Sequence, residues 1–223
     1  MSSSDRCFLP IIALVRRTAS EITMEQTKIQ LLPAEMELVS SPDIILTKNA
    51  ILQKIKSFFE EIQVNQMDVL RESQLPQEIL KISPKISRGE NYKGLPWLVL
   101  DNPRYFQHNN IFAIRTMFWW GNFFSITLQL SGNNKTDILK KLLANISLLQ
   151  QEDFYLYDGT DEWEHDLDPL SYKKLGALGS DELAKIISAN NFLKLAIKFP
   201  ISSLEAIKNK LLRNYELLVR CCC

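Results

Sequence analysis

The sequence predicts an α+β fold: a central antiparallel sheet of about four strands in residues 85–131, with helices before and after it packed on one face. Three observations predict this. Apolar residues recur at helical spacing over 47–62. Strand-like alternation runs through a glycine reversal in 111–131, and helical spacing returns after Gly132.

The first helix is the clearest. Ile51, Leu52, Ile55, Phe58, Phe59 and Ile62 line one face, Lys54, Lys56, Glu60 and Glu61 take the other, and Thr47 is an N-cap candidate. A second short helix fits 66–72. Strands are then expected near 86–92 and 96–101, around Lys93-Gly94. Pro96 suits an edge strand, and Asp101-Asn102-Pro103 should end the second strand before a loop to Asn110. The hairpin 111–131 should reverse at Gly121-Asn122, a pair suited to a two-residue turn. That register sets Arg115 opposite Leu128 and Trp119 opposite Phe124. Both would lie on a nearly all-apolar face that packs on the helices. Thr136 caps an expected helix over 137–150, and Ser180 caps one over 181–191. Ser202 with Glu205 reads as a capping box for a last helix to Val219.

Residues 24–220 therefore read as a single domain. Ahead of it, residues 1–23 read as a poorly structured leader. Its apolar run Cys7–Val15 contains Pro10 and is followed by Arg16-Arg17, unlike a signal-peptide cleavage region. Residues 221–223 read as a frayed cysteine tail. No apolar run approaches the roughly 18 residues of a membrane span. No cysteine lies between Cys7 and Cys221, so no disulfide framework staples the fold, which suits a reducing, cytoplasmic setting. Lys plus Arg number 26 and Asp plus Glu number 26, for a formal charge of zero. That balance argues against double-stranded nucleic acid and leaves self-association open.

Chemistry is sparse. The chain has no G-x-S-x-G elbow, no phosphate-binding glycine loop and only two histidines, His108 and His165. Arg115 stands out, because a guanidinium on an apolar face must find a carboxylate or an anionic ligand. Its expected internal partners are Asp101, Glu90 or an acid from a helix. Arg104, Tyr105 and His108 fall in the neighbouring loop and could supply a second anion contact and a proton carrier. Trp119 and Trp120 must project to opposite faces, so one of them could line a pocket or a partner surface. Residues 152–168 are rich in acids and hold no Lys or Arg. Asp158, Asp161, Glu162 and His165 are the metal-ligand candidates there, although the spacing fits no EF-hand and a solvated acidic loop is the plainer reading.

These residues name no activity. The leading reading is a soluble, non-catalytic binding or protein-interaction domain that takes a small anionic ligand or a protein partner. The second is an enzyme on an anionic small molecule, with Arg115 or Arg104 as the clamp. The third is a divalent-metal activity at the acidic loop. No organic cofactor is expected.

Overall fold

The computed structural model describes residues 29–223, so the expected leader and Cys7 lie outside the described residues. The chain divides into two compact units at Leu46/Thr47. In the first, helix α1 (Pro33–Ser40) starts with Pro33, where a missing N–H costs nothing, and the Glu35 carboxylate accepts from the Leu32 N–H at 2.7 Å. Helix α2 (Pro42–Arg71) carries the chain into the second unit. The sheet-bearing unit comprises Thr47–Cys223. The helix expected over 47–62 and the short one over 66–72 are both parts of α2, because nothing between them breaks the 3.6-residue repeat. No helix among the described residues is long and apolar enough to cross a membrane.

The fold class is α+β, with an antiparallel sheet and helices on both sides of it in the sequence. The sheet has seven strands rather than about four. After the short helix α3 (Gln77–Leu80) come β1 (Lys85–Tyr92), β2 (Leu95–Gln107), β3 (Asn110–Trp119) and β4 (Phe123–Ser131). Helices α4 (Gly132–Ala144) and α5 (Ile146–Gln150) follow. Then come the short strands β5 (Tyr155–Tyr157) and β6 (Tyr172–Lys174), helix α6 (Ser180–Ala189), β7 (Phe192–Pro200) and helix α7 (Leu204–Cys222). The strand order is β1-β2-β3-β4-β7-β5-β6. Pro96 therefore sits at the start of an inner strand, not on an edge. Asn102-Pro103 does not end β2 either. It is absorbed as a bulge between the pairs Asp101↔Arg115 and Arg104↔Ala113.

The hairpin turn decides which side chains meet. Its reversal takes three residues, Trp120-Gly121-Asn122, because the Asn122 N–H closes on the Trp119 carbonyl at 3.1 Å with Gly121 at φ +73°. The extra residue shifts the expected register by one, so Arg115 faces Thr127 instead of Leu128 and Trp119 faces Phe123 instead of Phe124. The shift gathers Phe112, Ile114, Phe118, Phe124, Ile126, Leu128 and Leu130 on one side. There they join Leu52, Ile55, Phe59 and Ile62 of α2 and Ile207, Leu211 and Leu218 of α7 in the main core. A satisfied polar chain crosses that core: Asn102 donates to Gln66 at 3.3 Å, and Gln66 donates to Thr116 at 3.1 Å. Arg115 is on the opposite face, so its expected position against the helices is overturned. That second face carries Val99, Met117, Trp119, Tyr157 and Tyr172, and Leu167 of the acidic segment packs onto it.

The remaining helix ends also shift. Ser131 takes the N-cap position of α4 while its hydroxyl accepts from the Ile111 N–H, Gly179 precedes α6, and Ser203 rather than Ser202 caps α7 by accepting from Ala206. The cysteine tail is not frayed. The last helix runs through Cys222, with Cys221 and Cys222 buried in the main core, and burial pushes both thiols up.

Gly132, at the β4–α4 junction, has φ +58°, and a Cβ there would collide with the Asn109 carbonyl oxygen. Gly132→Ala is expected to destabilise the unit by about 2 kcal/mol or more, since left-handed strain and a backbone clash add together. Urea denaturation measures it; a change below about 0.5 kcal/mol would contradict the backbone geometry described.

Candidate functional site

Two features could carry function: a sealed polar cluster on the second sheet face and an open groove beside it.

The cluster begins with Asp101 and Arg115, cross-strand partners on β2 and β3. Arg115 Nε donates to Asp101 Oδ1 at 2.7 Å, and the two side chains are 13 % and 8 % exposed. Burial, which outweighs the guanidinium, leaves the Asp101 carboxyl above the usual carboxylate range. Phe106 and Trp163 hold the guanidinium carbon 5.6 Å from each ring centre. Arg115 Nη1 lies 3.1 Å from His165 Nε2. A guanidinium only donates, so Nε2 must accept and the imidazole is neutral with its proton on Nδ1. Burial, then Lys194 and Arg115, hold His165 well below its ordinary value.

Lys194 is the residue that sequence reasoning missed. It lies on β7 opposite Gln129 and is fully buried. Its ammonium donates to the backbone carbonyls of Glu162, at 2.9 Å, and Glu164. It also sits 5.4 Å from the Tyr157 ring centre. Burial, reinforced by Arg115, lowers its pKa to about 7. Gln129, equally buried, finds no partner among the described residues for either amide atom. The signal for β7 was present: Leu193, Leu195, Ile197 and Phe199 alternate with Lys194, Ala196 and Lys198.

Residues 158–171 close over this face. The Tyr92 hydroxyl donates to Glu164 and accepts from the backbone N–H groups of His165 and Asp166 at 2.7 and 3.0 Å. Lys93 pairs with Glu164 and Asp166 at 3.1 and 3.0 Å. Burial raises Glu164, but the bonds from Tyr92, the Asp166 N–H and Lys93 outweigh it and hold the carboxyl below its ordinary range. The acidic segment is therefore a cover pinned by side chains from β1 and β7, not a loop held in solvent.

The other sequence candidates disperse. His108 is exposed in the β2–β3 turn, far along the hairpin from Arg115. Tyr105 packs into the main core, on the side away from Arg115. Arg104 donates to the Ser83 carbonyl at 3.2 Å. Trp119 is buried and donates to the Tyr92 carbonyl at 3.2 Å, while Trp120 packs partly buried beside Phe118. Neither ring offers an exposed apolar patch. Asp158 is exposed, and the Asp161 carboxylate accepts from the Trp163 N–H at 2.9 Å. Among the described residues no three His, Cys, Asp or Glu side chains converge as metal ligands.

The groove, of about 1130 Å³, runs between α4, α6 and the start of β7. Leu139, Leu143, Leu183, Ala184, Ile187 and Phe192 form its apolar wall. Ser131, Thr136, Asn190, Lys135 and Glu162 give it a polar side. The Lys135 ammonium is already committed, donating to the carbonyls of Ile187 at 2.6 Å and Asn190 at 2.5 Å. Glu162 ties the two features together, since its carbonyl receives Lys194 from the cluster while the residue lines the groove. No histidine, cysteine or tyrosine lines the groove among the described residues.

Comparison with protein-family models, curated proteins and solved structures finds no match for this chain.

Proposed function

We propose that the chain is a non-catalytic binding domain whose ligand site is the groove between α4 and α6. One observation carries this reading: the groove joins an apolar wall of six side chains to a few convergent polar groups, the make-up of a small-molecule site. Among the described residues no imidazole, thiol or phenol lines the groove, which argues for binding without chemistry. The Ser131 hydroxyl is occupied, accepting from Ile111 at 3.1 Å. An anion clamp at Arg115 has less support, since that fork is spent on Asp101 and His165 beneath a cover. The cluster reads as the device that fixes the cover and, through Glu162, one wall of the groove.

Ala184 is exposed and lines the groove, so Ala184→Trp fills the space without touching the core. Wild-type protein should enhance the fluorescence of the neutral apolar dye Nile red. The variant should bind it at least about tenfold more weakly at an unchanged melting temperature, because a clash removes affinity without cost to folding. Equal dye binding by both proteins would exclude the groove as the site.

A further inference from the structure

We propose that acid opens the groove: a proton on His165 frees the 158–171 cover, and with it the part of the groove wall that the cover supplies. This regulation rests on the groove being the binding site. The cover has little structure of its own. Residues 158–171 form no helix or strand, and Leu167 is the one buried apolar side chain among them. Polar contacts from the sheet hold the rest: Tyr92 and Lys93 of β1, Lys194 and Lys198 of β7, and Arg115 of β3. Segments with few buried apolar contacts open locally at less cost than a packed core.

One of these contacts turns repulsive on titration. Arg115 Nη1 donates to His165 Nε2 at 3.1 Å, which requires that nitrogen to carry no proton. Protonation there sets donor against donor and imidazolium against guanidinium, and the Lys194 ammonium repels it as well. The neighbouring groups offer no relief. The Tyr92 phenol, its ring centre 6.0 Å from that of the imidazole, is held neutral by burial. Glu164 is engaged by Tyr92 and Lys93, Asp166 by Lys93, and Asp101 by Arg115 itself. An imidazolium is therefore accommodated by moving out. The cover meets the groove at two points. Asn190, a lining residue, donates from Nδ2 to the Gly159 carbonyl at 3.0 Å, and Glu162 lines the groove directly. Release of the cover removes both supports, and by reciprocity a seated ligand favours the closed cover.

The open cover takes up the proton near the ordinary imidazole value of 6.5, the closed cover only well below it. Closure therefore weakens as pH falls, by about tenfold between about pH 6.5 and 5. In that window Lys194 is already largely cationic with the cover closed. Glu164, held below its ordinary range, adds its loss at lower pH, and Asp101, held above that range, acts in the opposite sense.

Hydrogen–deuterium exchange of the full chain, read by mass spectrometry near pH 6.5 and pH 5 and corrected for intrinsic rates, tests this. Peptides within 158–171 should exchange faster than those of β3 and β4 at both values, and their protection should fall about tenfold on acidification. His165→Gln keeps an acceptor for Arg115 without a titrating ring, so its protection should change by less than about threefold. Nile red bound to the wild-type protein near pH 5 should slow exchange of 158–171 by at least about threefold. Unchanged wild-type protection across the window, or an equal fall in the variant, overturns the proton switch. Dye that binds the groove and leaves exchange of the cover unaltered overturns the coupling and leaves the groove standing as the site. Dye binding that Ala184→Trp does not weaken overturns the groove reading and this regulation together, and the exchange data then still report whether His165 releases the cover.

Discussion

Lys194→Met is expected to remove a rise in stability with pH that the wild-type protein shows between about pH 7 and 10, worth about 1.4 kcal/mol per pH unit. The ammonium is fully buried, and burial lowers its folded-state pKa from 10.5 to about 7. In the unfolded chain Lys194 stays protonated to its ordinary value, so within this window the unfolded state binds more protons. Stability then rises with pH, and is lost as pH falls towards the folded pKa. The titratable groups that act on Lys194 are Arg115, which lowers its pKa, and Glu164, Asp161 and Glu162, which raise it, with His165 coupled to it in turn. Methionine keeps the length of the side chain but leaves the Glu162 and Glu164 carbonyls without their donor. The absolute stability of the variant is therefore no test; the slope is. Unfolding free energies from urea titrations near pH 7.5 and near pH 9.5 give it, and subtracting variant from wild type cancels the thiols and tyrosines common to both. Parallel pH profiles would show that burial does not lower the Lys194 pKa and that the side chain keeps its proton in the folded state throughout this window. Below about pH 6.5 His165 adds a loss of the same sign, because its folded-state pKa is depressed while the unfolded value is 6.5.

Arg115→Met should cost about 3–5 kcal/mol, the penalty for stranding one partner of a buried ion pair. The low exposure of both side chains, 13 % and 8 %, places the pair in this class and not among surface pairs of negligible worth. Loss of the guanidinium leaves the buried Asp101 without its ion partner and removes the donor that His165 Nε2 accepts from. Adding Asp101→Asn removes the stranded charge, so the double variant should recover about half of the loss, a coupling of the size contacting residues show. The readout is urea denaturation of the two single variants and the double. A single variant within about 1 kcal/mol of wild type, or strictly additive losses, would mean that the pair contributes no more than a surface contact.

Local pattern carried the helices well. Leu52, Ile55, Phe58, Phe59 and Ile62 are buried as their spacing implies, and Ile207, Leu211, Tyr215 and Leu218 likewise. The β1–β4 meander was legible from Lys93-Gly94 and Gly121-Asn122, although one added turn residue was enough to reassign every cross-strand neighbour of Arg115. The alternation that marks β7 was visible, but it reads Lys194 as solvent-facing, whereas Lys194 is fully buried. Lys194 is tolerated inside because the distant Glu162 and Glu164 carbonyls accept from it, whereas Lys198 is exposed and donates to the Leu167 carbonyl at 3.2 Å. The groove could not be read at all, since its walls come from α4, α6 and residue 162.

Side-chain spacing along the chain is enough to place the helices with their apolar faces and the strands of the first meander, because the 3.6- and 2-residue periods are properties of the local backbone, but it does not decide which face of the hairpin meets the helices. It does not reach the partners of the buried charges. Arg115 meets His165 across 50 positions and Tyr92 meets Glu164 across 72, separations over which no periodicity persists. Only the packing of the 158–171 segment onto the sheet determines which charges are neutralised within the fold. That same packing leaves Glu162 Oε1 buried without a hydrogen-bond partner among the described residues.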